Sequence, residues 1–534
     1  MSILARLSAL LRGANTSRLP AATVVAALPV AKPDAEDERA ARAAFDAGTS
    51  AFRAKDYAAA VECFKTVVEL RHDDADAHNY LGLSYLEQGN HEDAADCFLL
   101  ALHYHPQFPP ALYNLALVAL RRADLDEAVA CLERAIAQMP DYAAAHNNLG
   151  YVLCRELGDF ERGAEHIRVA LRLVPDDSEA LCNYSMVLIQ EGRSEDALTI
   201  CDQQLAANPG LHEARLNRAI AMLKLGRFAE GWPDYEARKL TRSNYVPRSL
   251  PLPDWRGQVL RDKRLLVYAE QGLGDQIMFA SCLPDLLDRV GGCVIECAPR
   301  LAPIFRRSFP TATIKPQARD DARLASLVEA ARFDYQVAIG SLPGYFRRNW
   351  SDFPQHNGYL HADAARVAYW KDRLDALGPG LKVGISWFGG VASTRRAARS
   401  TQLQDWLPVL SQASCSFVSL QYGDVSGELE TVSGEHQVNI HRWSAANDDY
   451  DETAALVTAL DLVISVQTAV VHLAGALGKP AWVLVPAVAE WRYLQSGDSM
   501  PWYPSLRLFR RRCANGWESV IAAVSVELAK LRQT

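Results

Sequence analysis

A repeat period of 34 residues constrains this chain more than any other feature. From about residue 41, a small residue recurs at Gly48, Gly82, Ala116 and Gly150. A second small position recurs at Ala60, Ala94, Ala128, Gly163, Ala197 and Gly231. Four residues after each of these come Phe64, Phe98, Leu132, Ile167, Cys201 and Tyr235. Pro106, Pro140, Pro175 and Pro209 end the second to fifth units, and the fourth unit carries one extra residue near Leu157-Gly158. A period of this length is one pair of helices per unit. Small residues are needed where the two helices of a pair approach closely. The aromatic or aliphatic residue is expected to fill the gap to the next pair.

Several positions recurring at one spacing resemble the tetratricopeptide repeat, with six units over 41–240. Such pairs stack into an α-superhelix whose concave face binds extended peptides or partner proteins. The alternative is a purely structural spacer. The last unit, Gly226 to Trp232 and then Tyr235 to Arg238, resembles the closing repeat of bacterial proteins that fuse such repeats to a glycosyltransferase.

Composition narrows the function classes. The chain has 534 residues, enough for two or three domains, and its 49% hydrophobic and 22% charged content suits a soluble globular protein. Residues 36–240 hold 34 acidic and 20 basic residues, a net −14, whereas the remainder is +6. An acidic front half argues against nucleic-acid binding, and a mildly basic back half suits a phosphorylated ligand. Eleven cysteines form no CxxC pair. Cys63, Cys97 and Cys131 follow the repeat period, so a reducing, cytoplasmic setting is expected. No apolar run reaches the length of a membrane span. Residues 1–40 read as a flexible leader, with a weak amphipathic stripe from Met1 to Leu11 that Arg6 interrupts.

After a proline-rich linker at 241–261 the pattern changes to alternating strands and helices. Strands are expected at Arg264–Ala269, Cys293–Ala298, Thr313–Lys315 and Gln336–Ile339, giving a first α/β domain over 262–365. The first strand runs into Gly272-Leu273-Gly274-Asp275, a glycine loop that opens a helix. Glycines let backbone approach a ligand closely. Asp275 either faces the cleft or caps the helix. A second α/β domain, 366–534, starts with a helix near Arg366–Leu377 and ends with one over Trp517–Leu531. Its strand Lys382–Trp387 precedes Gly389-Gly390 and the basic run from Arg395 to Arg399, followed by Ser400. Its strand Phe417–Gln421 brings Gln421 to a carboxyl end. The stretch Asp461 to Pro486 is a strand, a helix over Thr468–Leu477 with Gly478 as its C-cap, and a strand. Free N–H groups at Thr468 suit an anion, and His472 lies one turn on, facing the same way. Asp449-Tyr450-Asp451 has the spacing of a metal-binding triplet but sits at a helix start, where acids cap.

These segments resemble the heptosyltransferase-like glycosyltransferases of the GT-B fold, in Gly272-Leu273-Gly274-Asp275, Arg399-Ser400 and Gln467-Thr468-Ala469-Val470-Val471-His472-Leu473-Ala474. The family's Asp is Gln467 here. Glu490 to Tyr493 and Pro501 to Pro504 resemble family segments near the donor, with core packing as the alternative. The resemblance implies an α + α/β chain: a superhelix, then two Rossmann-like domains facing across a cleft. It implies inverting transfer from a nucleotide-sugar, with no metal and no cofactor. Asp275 would be the catalytic base. Gly272, Gly274, Arg399, Ser400, Gln421, Gln467, Thr468, Ala469 and His472 would bind the donor. The repeats would present a protein acceptor, flagellin by analogy of layout. An envelope-glycan acceptor, or a non-catalytic scaffold motivated by Gln467, are the alternatives.

Overall fold

The computed structural model describes residues 34–241, 252–317, 333–390, 396–512 and 516–531. Arg395, Pro247, Pro251 and the stripe at Met1 to Leu11 lie outside the described residues. The chain divides into two compact units, the first ending at Asn183 and the second beginning at Tyr184.

The first unit is a series of antiparallel helix pairs: α1 (Ala35–Arg53) with α2 (Tyr57–Leu70), α3 (Ala75–Glu87) with α4 (His91–Tyr104), α5 (Pro109–Arg121) with α6 (Leu125–Gln138), and α7 (Ala143–Val152) with α8 (Phe160–Leu173). Helix α1 begins inside the stretch read as a flexible leader. The reason is local: Asp34 accepts hydrogen bonds from the backbone N–H groups of Glu36 and Asp37, and three acids occupy the first turn. Asp56, Asp74, Asp124 and Asp159 cap α2, α3, α6 and α8 in the same way.

The small positions do what the period demands, with one correction. A Cβ on Gly82 would stand 2.6 Å from the Phe98 ring, and one on Gly150 would stand 2.6 Å from Ile167. The large residue therefore covers the glycine of its own pair, not only the gap to the next. Phe64 does both, since it lies over Gly48 and stacks on Tyr80 of the following unit at 5.3 Å. The turn between paired helices has a left-handed residue every time. Gly89, Gly158, Gly192 and Gly226 occupy it, but so do Lys55 (φ 63°) and Ala123 (φ 59°). The extra residue of the fourth unit is absorbed in a π-helical turn, Leu153–Leu157, at the end of α7.

Helix α9 (Ser178–Gln190) carries the unit boundary. The second unit then holds α10 (Ser194–Ala207), α11 (His212–Lys224) and the short α12 (Phe228–Tyr235). So the final repeats pack with the α/β region in one unit. The change of pattern near 240 is a change of secondary structure and not of packing. One core runs from Leu216, Phe228 and Trp232 through Trp255 and Phe279 to Trp491 and Trp502.

The α/β region has two sheets, and among the described residues every strand pairing in them is parallel. The first contains β1 (Leu260–Tyr268), β2 (Val290–Cys297), β3 (Thr313–Pro316) and β4 (Tyr335–Ala338), in the order β3-β2-β1-β4. The second contains β5 (Leu381–Ser386), β6 (Cys415–Ser419), β7 (Ile440–His441), β8 (Leu462–Val466), β9 (Ala481–Val485) and β10 (Leu506–Arg510), in the order β10-β9-β8-β5-β6-β7. This is the doubly wound arrangement, with the direction of winding reversing between β5 and β8. In the first sheet the reversal lies between β1 and β4. Strands β8 and β9 are buried along their whole length, as parallel strands covered on both faces must be. The sequence reading omitted β7 and β10. The first is two residues long, and the second, Leu506-Arg507-Leu508-Phe509-Arg510, has its short apolar run broken by two arginines.

Candidate functional site

In a doubly wound sheet, ligands bind outside the carboxyl ends of the strands where the winding reverses. Both reversal points here carry residues singled out by the sequence. After β1 comes Glu270 to Gly272 and then α13 (Leu273–Phe279); after β8 comes Gln467-Thr468 and then α14 (Ala469–Ala476). The two helices pack together. A Cβ on Gly274 would lie 3.0 Å from the His472 ring, so glycine is what lets the β1 loop meet α14.

Asp275 does not cap its helix. Gly272 is the N-cap residue and offers no side chain. The Asp275 carboxylate instead pairs with Arg492, whose Nε donates to Oδ1 at 2.8 Å and whose Nη2 donates to the same oxygen. Among the described residues nothing donates to Oδ2. The guanidinium thus fixes the carboxylate and leaves one oxygen available. Glu490 lies 3.5 Å from Arg492 on the other side.

His472 is buried, and its Nδ1 lies 3.1 Å from the Tyr503 hydroxyl. Burial, reinforced by the charges of Arg492 and Arg399, pushes the imidazole down to about 3. It is neutral at physiological pH, a hydrogen-bonding wall and not a proton donor. Asp275, Arg492, Gly274 and His472 therefore form one cluster, within range of the Arg399 charge.

A second group forms at the β5–β8 reversal. The Gly389 N–H donates to Ser400 Oγ at 3.2 Å, and a Cβ on Gly389 would come 2.5 Å from Thr468 Cγ2. Thr468 makes no capping bond; its hydroxyl lies 3.1 Å from Ser465 Oγ. The first N–H groups of α14 are thus left without their usual side-chain cap. Gln467 is buried, and its Nε2 has no hydrogen-bond partner among the described residues. Ala469 opens the helix, and its carbonyl accepts from the Tyr450 hydroxyl at 3.4 Å.

Gln421 plays a different part from the others. Its Oε1 accepts from Ser386 Oγ and from the N–H groups of Trp387 and Phe388, and its Nε2 donates to the Phe388 carbonyl. The amide is taken up in shaping the loop after β5. Asp449 caps the helix Tyr450–Ala459 through the Asp451 N–H and pairs with Arg366, while Asp451 pairs with Arg307. That triplet is occupied as a cap and an ion-pair centre. Trp491, Trp502 and Tyr503 are core residues. Between them the same stretch delivers Arg492, which lay in a segment the sequence reading noted without assigning it a role.

Residues 38–111, 113–178 and 155–212 match the tetratricopeptide repeat family. The N-terminal region is a tetratricopeptide-repeat array. Over 396 residues the chain is 37% identical to Protein FlbA of Caulobacter vibrioides, an alignment that takes in 71% of this chain. It spans 66% of the length of that relative. Among solved structures, Pseudomonas aeruginosa pilF is 17% identical with a TM-score of 0.34, covering 38% of this chain and 91% of that one. A MamA structure is 20% identical with a TM-score of 0.28, covering 32% and 93%. Tetratricopeptide repeats mark a protein that binds other proteins. Among the described residues no helix is long and apolar enough to cross a membrane.

Proposed function

We propose that this chain is an inverting, metal-independent glycosyltransferase of the GT-B type, moving a sugar from a nucleotide-sugar to a protein acceptor held by the repeats. The observation that carries the reading is the packing of Gly274 on His472. It brings the loops at the two winding reversals, one bearing a carboxylate and the other an uncapped helix start, to one place. Asp275 Oδ2 takes the proton from the acceptor as it attacks the anomeric carbon. The α14 N-terminus and Arg399 stabilise the leaving phosphate as its charge develops. Arg492 orients the base, and neutral His472 walls the pocket.

Asp275→Asn tests this. It keeps the shape of the side chain and should lower transfer by about 10²–10⁴-fold, the span for a general base, with nucleotide-sugar binding retained in calorimetry. Unchanged turnover would remove Asp275 from the chemistry. Absence of any nucleotide-sugar binding by the wild-type chain would favour a scaffold without catalysis.

A further inference from the structure

Asp275 and Arg492 are 217 residues apart in sequence, yet both rest on the last repeat. On the Asp275 side, Arg238 follows directly after α12 and is buried against Glu270 at the head of the glycine loop. Its Nη2 donates to Glu270 Oε1 at 2.7 Å and its Nε to Oε2 at 3.2 Å. The Glu270 side chain is 0% exposed. The Gly340 N–H, from the loop after β4, also donates to Glu270 Oε1 at 3.0 Å. One residue on, the Gln271 amide lies 3.2 Å from the Tyr235 hydroxyl. On the Arg492 side, the Trp491 ring stands 5.7 Å from both Trp232 and Tyr235, and Arg492 lies over Trp491 at 5.0 Å. Gln495 and Lys224 continue the contact through a backbone hydrogen bond of 2.8 Å.

Tyr235 is the residue that touches both sides. Its hydroxyl reaches the loop that carries Asp275, and its ring packs on the residue before Arg492. A tandem repeat with no further duty would close on a polar outer face. This one closes on Trp232, Tyr235 and a buried arginine. We propose that Tyr235 and Arg238 are positioning residues: the last repeat holds the glycine loop and the 490–493 segment at the separation that forms the Asp275–Arg492 pair. The inference rests on the glycosyltransferase reading for its catalytic consequence but not for its structural one.

The test uses the full-length chain with Tyr235→Phe, which removes one hydroxyl, and Arg238→Lys, which keeps the charge but not the two-pronged geometry. Amide hydrogen exchange is followed over 270–279 and 488–496, with β8 as an internal reference. Donor turnover is measured in parallel. Exchange over 270–279 should quicken about tenfold in Tyr235→Phe while β8 is unchanged, and the melting temperature should move by no more than about 2 °C. Turnover kcat should fall about tenfold with donor KM within about twofold, because misplaced groups slow the chemical step more than binding. Unaltered exchange over 270–279 in both variants overturns the proposal, whatever happens to turnover. Quickened exchange in a chain that turns over no nucleotide-sugar upholds the positioning role and removes the glycosyltransferase reading instead.

Discussion

The first four repeats and the last one share a period but not a way of being held together. In the first unit, Phe64, Phe98 and Ile167 cover Gly48, Gly82 and Gly150, and the Arg162–Glu133 pair between helices lies at the surface. Arg162 pairs with Glu133 at 2.9 Å with both side chains about half exposed. Buried polar contacts are neutral, such as the amide bond from Asn114 to Asn79 at 2.8 Å. In the second unit the last repeat ends in an eight-residue helix with Pro233 inside it, an aromatic cluster and a fully buried ion pair. The difference teaches that a repeat array can keep one spacing while its members divide their duties. The early repeats pack on one another, as Phe64 does on Gly48 and Tyr80. The last one shares a core with the α/β region.

The largest test of that contrast is truncation. A chain beginning at residue 241 loses Trp232, Tyr235 and Arg238 and leaves Glu270 as a buried, unpaired charge. It should show no cooperative thermal melt by circular dichroism. A chain beginning at Ser178, the start of α9, should melt cooperatively. If the shorter chain melts as sharply as the longer one, the last repeat is no more integral than the first four.

Next in size comes the pair of arginines. Arg238→Ala should cost about 3–5 kcal/mol, since it strands a buried carboxylate. Arg162→Ala, in an exposed pair, should cost less than about 1 kcal/mol. Chemical denaturation of both variants measures the gap, and equal losses would erase the distinction between the two regions.

Acid should separate the regions as well. His472 in the second unit stands at about 3 when folded, and near 6.5 when unfolded. Below pH 6.5 the unfolded chain therefore binds the extra proton first, so stability falls as the pH drops and the loss is complete only near pH 3. Between about pH 6.5 and pH 4 this amounts to about 3 kcal/mol. Denaturant titrations should show that part of the acid sensitivity vanish in His472→Gln. Burial lowers His146 in the first unit too, but the Pro140 carbonyl 3.1 Å from its Nε2 favours the charged ring and offsets part of that effect, so His146→Gln should alter the pH slope less.

The smallest effect belongs to the early repeats. Ala123 holds a left-handed turn that glycine fills in most of the other units. Ala123→Gly should raise stability by about 1 kcal/mol, through relief of the Cβ clash less the added freedom of the unfolded chain. A loss on substitution would show that the Ala123 methyl packs to advantage.

What was legible in the sequence was whatever recurs or runs locally. The helix pairs, the two glycine-led loops, Asp275, Thr468 and His472 all follow from short patterns. Arg492 as the partner of Asp275 did not, because no spacing links residues so distant in the chain. The same holds for Arg238 and Glu270. The left-handed turn was obscured wherever Lys55 or Ala123 stood in for glycine. Gln421 lies just past the end of β6, where its pattern puts it, but a strand end does not reveal whether an amide faces a ligand or its own backbone.

The π-helical turn at Leu153–Leu157 has a consequence for how such an array can change length. One added residue in a regular helix rotates everything beyond it by about 100°. Here the surplus is swallowed before Gly158, and Gly163 and Ile167 still meet Gly150 as their counterparts do elsewhere. The phase error is cancelled within the helix where it arises. Deleting a single residue from this turn should therefore be tolerated, returning the unit to 34 residues with its neighbours undisturbed. The same deletion in the middle of α3 or α5, where no slack is stored, should throw every later contact of that helix out of step.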